Sequence, residues 1–224
     1  MTRLLLAVLL ASLGASLQPP ADLPVIETPT AQPGRSMALL ITGDGGWAAG
    51  DRALARGLAD AGVPVAAIDA RAYFSKPRSP GEAAADWERV ARWYLARWHR
   101  DSLLVIGYSR GADVSPFIVN RLPMDLRARV RMLVMIGLSP RASFQFHWVD
   151  LVRDVARPTD LPTRPEVEKL RGLPMLCISG AEEEGSLCPA LDPSLATRLV
   201  HGGKHVMSAD DGRAIATTVL ATRS

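Results

Sequence analysis

Short, continuous apolar runs alternate with amphipathic stretches along most of this 224-residue chain. Residues 37–42, 63–69, 102–106, 131–138, 173–179 and 196–200 read as strands, the first of them a continuous apolar run as in strands buried on both faces. Helical patterns lie between them. Residues 51–61 carry Leu54 and Leu58 four apart, with Gly62 as a C-terminal stop. Ser79-Pro80-Gly81-Glu82 fits a capping box, and Trp87, Val90, Ala91, Tyr94, Leu95 and Trp98 follow at helical spacing as core contacts. Residues 112–120 and 210–221 complete the helical set. Strands separated by helix-length segments imply right-handed βαβ units. The expectation is therefore a three-layer α/β domain over residues 22–224, its mostly parallel sheet covered on both faces and its functional residues beyond the strands' carboxyl ends. Two stretches break the rhythm: a Pro-rich lead-in over residues 22–34, and a long mixed segment over 139–172, a candidate lid.

The N-terminus carries a different signal. Arg3 precedes an apolar run from Leu4 to Leu13, and Gly14, Ala15 and Ser16 follow. A positive start, about ten apolar residues and small residues near a cut make a secretory signal peptide over residues 1–17, cleaved near residues 14–18. The run is short of the ~20 residues of a membrane span, and Pro19 and Pro20 end it. The mature protein is therefore expected to be exported. Export changes the meaning of the two cysteines: in an oxidising compartment Cys177 and Cys188 are expected to form a disulfide.

Composition narrows the function classes. With 48% hydrophobic and 22% charged residues the chain is neither disordered nor fibrous. Basic residues number 26 against 23 acidic, and no basic block is interleaved with aromatics, so nucleic acid is not an expected partner. Two cysteines poorly accompanied by histidine do not suggest zinc, and no nucleotide-binding loop is present; no cofactor or metal is expected.

The chemistry starts after the third strand. Leu103-Leu104-Val105-Ile106-Gly107-Tyr108-Ser109-Arg110-Gly111 is an apolar strand running into G-x-S-x-G and then a helix, the context of a nucleophile elbow. The strained turn exposes Ser109, the two glycines let strand and helix approach, and the helix N-terminus offers donors to an oxyanion. In the hydrolase order of serine, acid, histidine, the base belongs after the last strand. His205 in Gly202-Gly203-Lys204-His205 fits, with His201 as the alternative. The acid belongs after the penultimate strand, in Gly180-Ala181-Glu182-Glu183-Glu184-Gly185; the spacing selects Glu183, with Glu182 as the alternative acid. The Cys177–Cys188 bridge would span this acidic loop. Thr42-Gly43-Asp44-Gly45-Gly46-Trp47 follows the first parallel strand, and its Gly45 or Gly46 amide is expected to join that of Arg110 in the oxyanion hole. Asp44, Trp47, Tyr108 and Asp113 are the candidate substrate contacts, the two carboxylates suiting a cation, although Asp44 could equally order its turn and Asp113 cap its helix.

These stretches resemble the α/β-hydrolase proteins of the VirJ/AcvB bacterial virulence family. The resemblance rests on Gly43-Asp44-Gly45-Gly46-Trp47, on Gly107 through Val114, and on Phe117 with Asn120-Arg121-Leu122-Pro123. It continues through Phe144-Gln145-Phe146-His147, Cys177 with the acidic loop and Cys188-Pro189, and Gly202-Gly203 before His205. It implies a periplasmic serine hydrolase, with lysyl-phosphatidylglycerol the substrate of AcvB-type members. The expected partners are thus a lipid or small acyl ester, with transient contact to a membrane surface. An esterase or thioesterase for another small acyl group is the alternative. So is a secretion-system module, since VirJ-type members are linked to type IV secretion. Phe144, Phe146 and Trp148 are candidates either for an apolar lid facing lipid or for the core packing of that lid.

Overall fold

The computed structural model describes residues 18–151 and 156–222; the signal-peptide reading of residues 1–17 lies outside them. Seven strands form one sheet. They are β1 (Val25–Thr28), β2 (Ser36–Ile41), β3 (Val65–Ile68), β4 (Ser102–Tyr108), β5 (Val130–Ile136), β8 (Met175–Gly180) and β9 (Thr197–His201), in the order β1-β3-β2-β4-β5-β8-β9. All neighbours are parallel except the edge strand β1, which pairs antiparallel with β3.

The alternation of side chains along β2 explains the layers. Met37, Leu39 and Ile41 face one side and pack with α3 (Pro80–Arg97) and α4 (Arg110–Arg121) through Trp87, Val90, Phe117 and Ile118. Ala38 and Leu40 face the other, against Leu54 and Leu58 of α1 (Ala49–Asp60) and Ile215 and Val219 of α7 (Ala209–Thr222). Every residue of β3 and all of β2 beyond Ser36 are buried, which is why they read as unbroken apolar runs. Short helices α2 (Ala70–Tyr73) and α5 (Met124–Arg127) finish two connections.

Local chemistry sets the helix ends. Ser79 accepts the Glu82 N–H at 3.2 Å and Glu82 accepts the Ser79 N–H at 2.7 Å, so the capping box opens α3 as its sequence predicts. Pro116 sits inside α4 and cannot donate to the Ala112 carbonyl; the Ser115 hydroxyl does so instead, at 3.0 Å.

Two features differ from the sequence reading. The Pro-rich lead-in contains β1, a four-residue strand whose half-exposed edge position leaves no clear alternation to read. The 139–172 segment carries regular structure that packs on the domain. In it β6 (Arg141–Ala142) pairs antiparallel with β7 (Leu161–Pro162), and α6 (Arg164–Glu168) is pinned to α4. That pin is Glu166, whose carboxylate binds Asn120, Arg121 and Lys169.

Chain order makes β2 central: the path leaves it for β3 on one side and returns past it to β4 on the other. The switch point of an open α/β sheet thus falls between the carboxyl ends of β2 and β4, where a ligand crevice is expected. Close packing there is possible only without side chains. A Cβ on Gly111 would stand 2.1 Å from the Ile41 carbonyl oxygen, and one on Gly107 would stand 2.3 Å from the Gly111 oxygen. Gly111→Ala is expected to destabilise the fold by about 3 kcal/mol, the upper end for overpacking. Chemical denaturation read by circular dichroism measures this, and a wild-type midpoint would refute it.

Candidate active site

Ser109 follows β4 and precedes α4. Its backbone sits at φ 53°, ψ −121°, a conformation that L-residues avoid, and its N–H is tied to the Ile136 carbonyl at 2.8 Å. His205 lies in the loop after β9, with Nε2 2.8 Å from Ser109 Oγ and Nδ1 2.7 Å from Glu183 Oε1. Glu183 Oε2 in turn accepts the Gly180 N–H at 2.9 Å. Three residues from three strand ends therefore form one continuous hydrogen-bonded line.

Electrostatics follow the geometry. The Glu183 hydrogen bond raises the His205 pKa above its ordinary value, with burial working against it. Burial favours the neutral form of Glu183, but the bonds from His205 and the Gly180 amide outweigh it and hold its pKa below the usual carboxylate value. Glu182, the alternative acid, is on the cavity wall instead, with its amide bonded to the Gly203 carbonyl at 2.9 Å. His201, the alternative base, lies 3.6 Å from Asp211.

The cavity beside Ser109 holds about 660 Å³. Acidic side chains reach it from Asp44, Asp113, Asp160, Glu182 and Glu184, and basic ones from Arg110, Arg141, Arg157 and Lys204. Pro140 is the one residue of the described lining with an apolar side chain. Arg110 is 6% exposed; its guanidinium binds both carboxylate oxygens of Asp44 and the carbonyls of Ser143 and Gln145, at 2.7 and 3.0 Å. Asp113 is buried one turn into α4. Its Oδ1 accepts the Ser139 N–H at 2.6 Å, and burial pushes its pKa up to about 8.

Several expected contacts fall elsewhere. The Gly46 amide is spent on the Gly43 carbonyl at 3.0 Å, closing a turn, and Gly45 and Gly46 line a second groove, not the one holding Ser109. In that turn Asp44 is the residue that reaches the Ser109 cavity. Trp47 and Tyr108 do not line it; Trp47 packs against the α1 side of the core, and the Tyr108 hydroxyl binds the backbone of the His205 loop. Of the three aromatics of the candidate lid, Phe146 and Trp148 stay together, with ring centroids 5.3 Å apart, and Phe144 separates from them. Phe144 is buried edge-on between Phe74 and Phe117, whereas Trp148 is 69% exposed beneath the Arg71 guanidinium at 4.6 Å. Phe144 is therefore core.

Sequence reasoning missed Gly137 and Ser139, just past β5. Gly137 has φ +68°, and a Cβ there would stand 2.8 Å from the His205 ring, so this glycine leaves the imidazole its room. Its place after the fourth parallel strand was the available signal. Among the described residues no group of His, Cys, Asp and Glu could hold a metal ion, and no described helix is long and apolar enough to cross a membrane.

A family model described as bacterial virulence protein (VirJ) matches residues 35–223. The chain belongs to the VirJ family. No curated protein sequence matches this VirJ-family chain. Among solved structures it is similar to TT1662 from Thermus thermophilus, at TM-score 0.61 and 19% identity over 91% of this chain and 95% of that one. It is also similar to the esterase domain of a Rhodothermus marinus protein, at 0.60 and 14% over 90% and 92%. MenH from S. aureus matches at 0.63 and 11% over 88% and 97%. At these identities the likeness establishes the α/β-hydrolase fold.

Cys177 in β8 and Cys188 are joined, with Cα atoms 5.4 Å apart, and the loop they close contains Glu183. A closed loop of this length contributes about 2–3 kcal/mol by limiting the unfolded chain. Replacing both cysteines with serine is expected to lower stability by that amount, read by thermal or chemical melting under non-reducing conditions. Equal melting of the two proteins would refute it.

Proposed function

We propose that this VirJ-family protein is an exported, periplasmic serine hydrolase that cleaves an aminoacyl ester, with lysyl-phosphatidylglycerol as substrate. The observation that carries the reading is the Ser109–His205–Glu183 line opening onto a cavity walled by charge. The charged residues of the described lining suit a small, charged acyl group. The disulfide accords with export, and the signal peptide read at residues 1–17 supplies the route.

In this mechanism Ser109 Oγ attacks the ester carbonyl carbon while His205 Nε2 takes its proton. Glu183 keeps Nδ1 protonated and stabilises the imidazolium. The carbonyl oxygen becomes an oxyanion, met by the Arg110 N–H at the start of α4, where the positive end of the helix favours negative charge. The second donor is the backbone N–H of Asp44 in the Gly43–Gly46 turn, in place of Gly45 or Gly46. His205 then protonates the departing glycerol oxygen. Water, deprotonated by His205, releases the amino acid from Ser109. Asp113 is the candidate partner for the acyl group's ammonium, which would favour the ionised form of its carboxyl.

A fluorophosphonate probe is expected to label wild-type protein and not Ser109→Ala. Purified enzyme is expected to release lysine from lysyl-phosphatidylglycerol, with a loss of at least about 10³-fold in Ser109→Ala. Equal labelling of the two proteins removes the hydrolase reading; labelling without lysine release removes the substrate.

The pH profile gives a separate test. The base works as neutral imidazole, so kcat/KM falls as pH drops through the His205 pKa. Because Glu183 raises that pKa, the acid limb is expected above the ordinary histidine value of about 6.5. Glu183→Gln removes the charge, moving the limb to lower pH and lowering kcat by roughly 10³- to 10⁴-fold. An unmoved limb would exclude Glu183 as the partner.

A further inference from the structure

The loop that carries His205 has little structure of its own. Gly202 and Gly203 precede it, Val206 is 77% exposed after it, and the segment between β9 and α7 contains no regular element. Glu183 fixes one nitrogen of the ring and the Glu182 amide holds the Gly203 carbonyl upstream, but neither bond reaches the main chain at His205 and beyond. Something must hold the main chain as well.

Tyr108 does this. It is the residue between the elbow glycine and Ser109. Its hydroxyl donates to the His205 carbonyl at 3.1 Å and accepts the Met207 N–H at 3.0 Å, so one oxygen grips the chain on both sides of residue 206. Its ring lies 5.9 Å from the imidazole with the planes 26° apart. On its other flank the ring packs against Gly43, where a Cβ would stand 3.3 Å from it and 3.0 Å from the Ser109 Cβ. Burial keeps the phenol protonated, as a donor to a carbonyl requires. Met207 is also pressed from behind: its carbonyl would lie 2.5 Å from a Cβ on Gly50 of α1.

We infer that Tyr108 is a positioning residue: its hydroxyl ties the backbone of the His205 loop to the nucleophile elbow, and so sets the distance from His205 Nε2 to Ser109 Oγ. The inference rests on the hydrolase reading for its consequence in rate, and on geometry alone for the tether. Tyr108 does not line the cavity, so its hydroxyl should act on kcat and not on substrate affinity.

The test is Tyr108→Phe, which keeps the ring and removes the tether. Expected are a fall in kcat and in the rate of fluorophosphonate labelling on the order of 10- to 100-fold, with KM within about twofold and melting close to wild type. Hydrogen exchange of a peptide spanning residues 204–208 should quicken while exchange in the Glu183 loop stays unchanged. Tyr108→Met, which also lacks the hydroxyl, serves with the same expectations if the Phe variant does not fold. Unchanged kcat and unchanged exchange would overturn the inference, as would a loss of activity matched by a rise in KM or by global unfolding. Wild-type protein that fails to label would sink the hydrolase reading while the exchange measurement still decides the tether.

Discussion

The structure depends on how closely α4 can approach β2 and β4. Ser109 can hold its unfavourable backbone only because the chain reverses from strand to helix in one residue, and that reversal drives the first turn of α4 onto the Ile41 carbonyl. Strain of this kind costs on the order of 1–3 kcal/mol and persists where its surroundings over-determine it. Here the surroundings are the Ile136 carbonyl holding the Ser109 amide and two glycines that leave no side chain in the contact. The same approach sets the positive end of a helix beside the serine hydroxyl. The positions of His205 and Glu183 have meaning only relative to this point.

Much of this was legible in the sequence, for definite reasons. A parallel sheet covered on both faces writes itself as unbroken apolar runs, and β2 and β3 do so. The capping box at Ser79 and Glu82 is local chemistry, readable from four residues. Chain order nominated Ser109, Glu183 and His205, which the fold brings into one hydrogen-bonded line. What stayed hidden depends on contacts distant in sequence. Edge strand β1 is specified by the backbone of β3, not by its own pattern. Gly137 matters only because His205 arrives beside it from far along the chain. The Gly-rich turn could offer its amides in several ways, and one hydrogen bond, Gly46 to Gly43, removes a choice that composition could not.

The loops around the line are restrained by different means. The acidic loop is closed covalently, by Cys177 and Cys188, and Glu183 also turns back onto the Gly180 amide. The histidine loop has no covalent brace, and the backbone bond from the Glu182 amide to the Gly203 carbonyl joins it to the acidic one. The two loops also meet at the Glu183–His205 pair, whose members have oppositely shifted pKa values that favour opposite charges. Each partner stabilises the charged form of the other, so the pair is held most firmly when the imidazole is protonated. That is the state the proposed mechanism gives the histidine once it takes a proton from serine.

The ion pair of Arg110 with Asp44 poses a sharper energetic question. Burying a guanidinium to 6% exposure costs several kcal/mol of hydration, and replacing such pairs with apolar residues is often neutral or stabilising. Stability is therefore weak ground for its presence. What an apolar pair could not do is reach in three directions. One guanidinium binds the carboxylate of the turn after β2 and two carbonyls of the 139–172 segment, while its own backbone opens α4 beside Ser109. Both residues of the pair also line the cavity beside Ser109. In the mechanism proposed above, the amides of these two residues meet the oxyanion, and the side-chain fork between them sets their spacing before any substrate arrives, which is where preorganised donors gain their advantage over water. The desolvation cost is thus set against geometry at the reacting centre.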